Sequence, residues 1–128
     1  MIVWFHGGGL TGGWRHIPEE LLRDGAVVVG VGYRFVTEVS LPETIDDAAA
    51  SVDWVLKNIS KYGGDLSKVY LAGHSAGGYL VSLLGQMSYF WPIISVISII
   101  STGISTPSSA RVSSLPCFLS TKRPFLSA

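Results

Sequence analysis

The chain has 128 residues, of which 48% are hydrophobic and 14% charged, and nine basic residues balance nine acidic ones. This length and apolar content suit one globular core, while the zero net charge gives no basic surface for nucleic acid. The single cysteine, Cys117, excludes an intramolecular disulfide, and no His, Cys, Asp or Glu residues have metal-ligand spacing. We therefore predict no nucleic-acid partner, no metal and no cofactor.

The first third of the chain alternates strand-like and helix-like segments. Residues 2–5 and 26–31 are short apolar runs rich in β-branched residues, as is typical of strands buried in a parallel sheet. Residues 17–24 lie between them and favour a short helix that ends at Gly25.

The next helix is predicted to begin at Ser40, which forms a capping-box pattern with Glu43 three positions later. Apolar residues then recur at three- and four-residue steps, so one helix face can pack on a sheet. Gly63 is placed to end the helix in a left-handed conformation. Asp46 and Asp47 lie near the helix N-terminus, where carboxylates favour the helix dipole, so we expect structural roles for both.

Directly after the first strand the sequence reads His6, Gly7, Gly8 and Gly9. Glycines allow a backbone to approach a reacting group closely, and preset N–H groups stabilise the charge that forms on an attacked carbonyl oxygen. The pattern predicts an oxyanion-hole loop in which the N–H groups of Gly8 and Gly9 are donors. The alternative interpretation is a flexible glycine-rich turn.

The second motif is Gly73, His74, Ser75, Ala76 and Gly77, which spells G-x-S-x-G between a strand-like and a helix-like run. A sharp strand-to-helix turn that exposes a serine hydroxyl requires minimal side chains on either side. The motif predicts Ser75 as a nucleophile and the N–H of Ala76 as a third oxyanion donor. A purely structural glycine turn is the alternative.

The flanking runs place both motifs at one edge of the predicted sheet. Residues 69–72 indicate a short buried strand, and residues 79–84 indicate a helix packed on one face. Strands that alternate with helices favour a parallel sheet with right-handed crossovers. In such a sheet, catalytic loops lie at the carboxyl ends of the strands, where both motifs fall.

Together these motifs make the chain resemble the α/β-hydrolase superfamily, in the esterase and lipase-like branch with an H-G-G-G loop, which includes acetyl-esterase-like and feruloyl-esterase-like members. Residues 32–34, Gly-Tyr-Arg, and residues 62–65, Tyr-Gly-Gly-Asp, are similar to further segments of that branch. The resemblance covers roughly residues 1–88. It implies a partial α/β-hydrolase fold, mainly a parallel sheet with flanking helices and a nucleophile elbow at residues 73–77. It also implies a serine carboxylic-ester hydrolase that acts on small-molecule, short-acyl esters.

The acid and the base that activate such a serine do not follow Ser75 in this sequence. In this superfamily an Asp or Glu and then a His follow the serine, but no Asp or Glu follows Asp65 and no His follows His74. His6 is expected to fix the loop, His74 to diverge from Ser75 at the turn, and His16 to lie in a surface loop. We predict that this chain is inactive as an esterase, with a non-catalytic binding domain or a non-functional fragment as alternatives.

Residues 89–128 form a second region of different composition. Residues 93–100 could supply the next strand of the sheet, whereas residues 105–114 are rich in Ser, Thr and Pro and indicate a disordered linker. Residues 89–104 are apolar but shorter than the roughly 20 residues of a membrane span. Met1 leads into a strand without a secretory signal, so the sequence as written predicts a cytoplasmic protein. We interpret the chain as a partial or frame-disrupted esterase relative.

Overall fold

In a computed structural model, the structure describes residues 1–87, 94–99 and 126–127. Within these residues, five strands form one parallel sheet in the order β4-β3-β1-β2-β5. The predicted parallel α/β architecture is confirmed. The strands are β1 (Ile2–Phe5), β2 (Val28–Val31), β3 (Val69–His74), β4 (Ile94–Ile99) and β5 (Leu126–Ser127).

The register of the central strand β1 explains why the two motifs meet. Phe5, the last residue of β1, pairs with Val31 of β2 on one side and with Gly73 of β3 on the other. The carboxyl ends of all three strands are therefore level, and the segments after β1 and β3 leave the sheet at the same edge. β4 pairs in parallel with β3, which confirms the strand predicted within residues 93–100.

Two α-helices follow the sequence signals closely. Helix α1 spans Leu41–Asn58 and continues as a 3-10 helix over Ile59–Tyr62, which ends at Gly63 with φ of 84°. The N–H and the hydroxyl of Ser40 both donate to Oε2 of Glu43, at 2.9 and 2.6 Å, so the glutamate side of the capping box is formed. Helix α2 spans Ala76–Gln86, directly after the G-x-S-x-G turn.

Both α-helices pack on the same face of the sheet. Alternation along the strands directs Val3 and Phe5 to this face, and Trp4 to the other. The larger core comprises apolar side chains of β1, β2, β3, α1 and α2, among them Val29, Val31, Leu71, Ala48, Val52, Val55, Leu80, Val81 and Leu84. The smaller cluster joins Trp4, Val28 and Ala72 to side chains of the segment before β2, including Ile17 and Leu21.

Two element boundaries differ from the expected ones. The helix predicted over residues 17–24 is a 3-10 helix at Glu19–Gly25, because Pro18 has an extended backbone with ψ of 135° and delays the helical turn. The second strand begins at Val28, two residues later than predicted. The expected linker at residues 105–114 lies outside the described residues. No helix within the described ranges is long and apolar enough to cross a membrane.

Arg34, just after β2, forms a bidentate ion pair with Asp47 of α1. The guanidinium Nε and Nη2 atoms donate to Oδ2 and Oδ1 of Asp47, both at 2.8 Å, and the Arg34 backbone N–H donates to Oδ2 at 3.1 Å. These hydrogen bonds lower the pKa of the Asp47 carboxyl below its ordinary value. Asp47 therefore has the predicted structural role, but as an ion-pair partner that joins α1 to the segment after β2.

We expect the stability difference between the wild-type chain and Asp47→Asn to depend on pH. A carboxyl whose folded-state pKa is lowered stabilises the fold fully above its unfolded pKa of about 3.9, and this contribution disappears as pH falls through the folded value. The difference between their free energies of unfolding in urea should therefore be constant above about pH 5 and become smaller in more acidic solution. A difference that stays constant or grows on acidification would contradict the Arg34–Asp47 ion pair as the cause of the lowered pKa. Arg34→Gln removes the same ion pair, so its free energy of unfolding should also depend less on pH than that of the wild-type chain.

Candidate active site at the carboxyl edge of the sheet

Ser75 lies at the turn between β3 and α2 in a strained backbone conformation. Its φ is 51° and its ψ is −116°, while the preceding residue ends β3 and the following residue begins α2. Positive φ is unusual for a residue with a side chain and is found mainly where surrounding structure enforces it. The side chain is half-buried. The predicted strand, turn and helix around the serine are therefore confirmed.

The glycines on either side of Ser75 are required by close backbone contacts. A Cβ atom on Gly77 would collide with the carbonyl oxygen of Phe5 and lie 2.6 Å from that of His6. A Cβ atom on Gly73 would lie 2.5 Å from the carbonyl carbon and oxygen of Gly77. Backbone atoms cannot move aside as side chains can. The start of α2 therefore rests on the end of β1 only because residue 77 is glycine, and it lies this close to the end of β3 only because residue 73 is glycine.

The H-G-G-G loop continues from this contact to the serine. A Cβ atom on Gly7 would lie 2.8 Å from Nδ1 of His74 and 3.3 Å from Cβ of Ser75. The loop therefore passes directly beside the serine, and position 7 has no room for a residue larger than glycine. The structure brings the two sequence motifs together, although they lie far apart in the chain.

The His6 imidazole controls the direction of the Gly8 N–H. Nδ1 of His6 donates a hydrogen bond to the carbonyl oxygen of Gly7 at 2.7 Å, which requires the tautomer with a proton on Nδ1. In a planar trans peptide the carbonyl and the following N–H point in opposite directions. Since the Gly7 carbonyl faces His6, the Gly8 N–H must point away from the imidazole.

The direction of the Gly9 N–H follows in the same way from the hydrogen bonds of the Gly8 carbonyl, which belongs to the same planar peptide. The carbonyl oxygen of Gly8 accepts hydrogen bonds from the N–H groups of Thr11 and Gly12, at 3.1 and 3.2 Å, and from the Thr11 hydroxyl at 3.3 Å. This turn fixes the Gly8–Gly9 peptide and points the Gly9 N–H to the other side. Gly8 has φ of 128° and Leu10 has φ of 62°, so the loop is tightly wound.

The three predicted oxyanion donors have no acceptor among the residues that the structure describes. Within the described residues, the N–H groups of Gly8, Gly9 and Ala76 donate no hydrogen bond. The Ala76 N–H belongs to the first turn of α2, where helix geometry leaves donors without an intrahelical acceptor and the dipole favours negative charge. The arrangement offers backbone donors from both motifs to an incoming oxygen. Their role as an oxyanion hole stays a prediction.

His6 is held on three sides. It is 2% exposed, and its ring stacks on Tyr33 with centroids 4.6 Å apart and planes 9° apart. The Tyr33 hydroxyl donates to the His6 carbonyl oxygen at 2.7 Å. Burial raises the pKa of Tyr33 to about 12, so the phenol stays protonated and remains a donor. With Nδ1 and the carbonyl both engaged, His6 is part of the loop's internal support.

The other two histidines are exposed. His74 lies on the elbow with its Nδ1 near Gly7, and His16 lies beside the exposed Trp14, with ring centroids 5.5 Å apart. Within the described part of the chain, no imidazole and no carboxylate forms a hydrogen bond with the Ser75 hydroxyl. In the same residues, no group of three His, Cys, Asp or Glu could hold a metal ion. The expected lack of a bound metal or cofactor stays a prediction.

Sequence reasoning did not find the supports of the loop. Thr11, the strained Leu10 and the hydrogen bond from the Val36 N–H to the Leu10 carbonyl at 2.9 Å were not predicted. Their signals are weak, because any residue can supply a backbone bond and a threonine in a Gly-rich segment has many possible partners. Tyr33 was noticed only as part of a family-like tripeptide.

The strand order, the elbow and the adjoining glycine loop define an α/β-hydrolase architecture. A family model described as alpha/beta hydrolase fold matches residues 2–110. Because this range covers most of the chain, the chain belongs to the α/β-hydrolase family, in its carboxylesterase-like branch. The match extends beyond residue 88 and includes β4.

Curated relatives agree with this assignment. The chain is 37% identical over 93 residues to Carboxylesterase NlhH of Mycobacterium tuberculosis, which covers 69% of this chain and 29% of that protein. Esterase LipI of the same organism is 35% identical, covering 67% and 28% of the two chains. Arylacetamide deacetylase-like 2 of Homo sapiens is 34% identical, covering 66% and 23%. The chain thus spans less than a third of each of these relatives.

We expect Gly77→Ala to destabilise the fold, because its methyl group would collide with the Phe5 carbonyl. The cost should be about 1–3 kcal/mol, as for other overpacked sites. Gly12→Ala is the matched control, since a Cβ atom there meets nothing within 4 Å, and it should change the free energy of unfolding by less than about 0.5 kcal/mol. Equal effects of the two substitutions in urea unfolding would show that the contact of α2 with β1 is not tight.

Proposed function

We propose that this chain carries the nucleophile and the oxyanion hole of a serine carboxylic-ester hydrolase. The contact between the H-G-G-G loop and Ser75 is the observation that supports the proposal most directly. A Cβ atom on Gly7 would lie 3.3 Å from Cβ of Ser75, so a carbonyl group attacked by the serine would be adjacent to the loop. Family membership adds independent support, because relatives are named as esterases and carboxylesterases.

In the proposed reaction, Oγ of Ser75 attacks the carbonyl carbon of an ester while its proton passes to a base. The carbonyl oxygen becomes an oxyanion and accepts hydrogen bonds from the N–H groups of Gly8, Gly9 and Ala76. Collapse of this intermediate breaks the bond to the alkoxy oxygen, which leaves as an alcohol after it receives the proton. Water then attacks the acyl-serine by the same steps and releases a carboxylic acid.

The substrate class is an ester of a small acyl group. The support for this finer statement is the branch that the motifs resemble, together with the names of relatives such as Carboxylesterase NlhH. Trp14 is placed to line the substrate pocket, because it is 73% exposed and follows Gly13, where an added Cβ atom would lie 2.6 Å from the Gly7 carbonyl oxygen and 2.7 Å from Nδ1 of His6. Apolar aromatic surface of this kind suits an uncharged ester group.

We also propose that the 128 residues by themselves do not turn over esters. Their sequence contains no Asp or Glu after Asp65 and no His after His74, where the acid and base of this fold follow the serine. Without a base the hydroxyl proton of Ser75 has no acceptor of suitable pKa. The same observation favours a second candidate function, a non-catalytic domain that retains the pocket and binds a small molecule.

The predicted inactivity can be tested with 4-nitrophenyl acetate. Loss of a triad histidine typically lowers turnover about a million-fold and leaves a residual rate on the order of a thousand-fold above the uncatalysed one, from the oxyanion hole and binding. The chain should therefore show at most this residual rate, and Ser75→Ala should differ little from it. Turnover in the ordinary range of about 1–1,000 s⁻¹ that disappears in Ser75→Ala would contradict the predicted inactivity while supporting the nucleophile.

The nucleophile and the donors can be tested without turnover. A short alkylboronic acid becomes tetrahedral when a serine oxygen adds to boron and the hydroxyl proton passes to the buffer, so this adduct needs no base from the protein. Boron NMR separates this state from the free trigonal acid. We expect a tetrahedral signal that is lost in Ser75→Ala and kept in Ser82→Ala, whose hydroxyl bonds to the Gly78 carbonyl within α2. A signal that does not depend on Ser75, or no signal at all, would contradict the proposed site.

A further inference from the structure

The segment that follows β2 lies along the H-G-G-G loop and holds it at two points. We call residues 33–36 the strap. At one end of the loop, the Tyr33 hydroxyl donates to the His6 carbonyl at 2.7 Å, and at the other end the Val36 N–H donates to the Leu10 carbonyl at 2.9 Å. Between these bonds, Phe35 packs edge-on against the His6 ring with centroids 6.2 Å apart.

These contacts reach the carbonyl groups that flank the predicted donors. The His6 and Leu10 carbonyls lie on either side of the Gly8 and Gly9 peptides, and both accept from the strap. The strap therefore holds both ends of the segment that carries the donors, and a displacement of either end changes the backbone dihedrals between them.

The strap is fixed in turn by one residue of α1. Asp47 receives three hydrogen bonds from Arg34, one from the backbone N–H and two from the guanidinium. A bidentate arginine–carboxylate pair fixes orientation as well as distance. Helix α1 is anchored in the core through Ala48, Val52 and Val55, which are all fully buried. Asp47 thus connects a rigid element to the loop.

We propose that Arg34 and Asp47 are positioning residues that set the direction of the Gly8 and Gly9 N–H groups. Calling these groups oxyanion donors rests on the proposed function. The geometric link from Asp47 through the strap to the loop does not, and it can be tested in a chain with no esterase activity.

A second ion pair on α1 provides a matched control. Asp53 pairs with Lys57 at 2.6 Å, one turn apart on the same helix, and the side chains are 47% and 69% exposed. Asp53→Asn and Asp47→Asn remove the same charge from the same helix. The Asp53 pair is formed within α1, so its loss should leave the loop unchanged.

The experiment is amide NMR of the uniformly ¹⁵N-labelled 128-residue chain. In Asp47→Asn we expect changed ¹H–¹⁵N shifts for Gly8 and Gly9. We also expect hydrogen exchange on the order of tenfold faster at Thr11 and Gly12, whose N–H groups bond to the Gly8 carbonyl, because the charge-assisted hydrogen bonds that fix the strap against α1 are weakened. Amides of α1 should keep their wild-type exchange rates, since a local opening does not require the helix to unfold.

Other outcomes overturn the proposal. If Asp53→Asn shifts Gly8 and Gly9 as much as Asp47→Asn, or if exchange rises equally in α1 and the loop, Asp47 contributes only general stability. Arg34→Lys is the second variant in case Asp47→Asn does not fold. It keeps the charge and the backbone bond but loses the guanidinium fork, so it should give a smaller change in the same direction. An unchanged loop in Arg34→Lys would contradict the proposal.

Discussion

The close approach of Gly77 to the end of β1 is the constraint on which the rest of the site depends. The first turn of α2 lies against the carbonyl oxygens of Phe5 and His6, with no space for a Cβ atom. This contact places the serine turn beside the loop that leaves β1, and it sets the height of α2 on the sheet. The apolar residues Leu80, Val81 and Leu84 then complete the core on the same face as α1.

In the loop after β1, the carbonyls of His6, Gly7, Gly8 and Leu10 accept hydrogen bonds, whereas the N–H groups of Gly8 and Gly9 donate none within the described residues. Its carbonyls accept from the His6 ring, from the turn at Thr11 and Gly12, and from the strap. A leucine with φ of 62° costs free energy, which the surrounding contacts must offset. Such strain is usually concentrated where a protein binds or reacts.

The two halves of serine hydrolase chemistry are unequally represented in these residues. Oxyanion stabilisation needs only backbone groups held in place, and a loop and a helix N-terminus are both present. Proton transfer needs a base oriented by an acid, and these follow Ser75 in the sequence order of this fold. The curated relatives are more than three times longer than the matched segment. Under the proposed function, the site therefore supplies the electrostatic half of a hydrolase centre.

The sequence by itself determined the alternation of strands and helices, the start of α1 at Ser40, the stop at Gly63 and the turn at Ser75. These features depend on local patterns: apolar periodicity, a capping residue, and glycines where backbone conformation or space requires them. Only the tertiary structure decided which groups support the loop. Tyr33, Val36 and Asp47 act through contacts between segments distant in the chain, and a hydroxyl, a backbone N–H or a carboxylate carries no sequence signal of its partner.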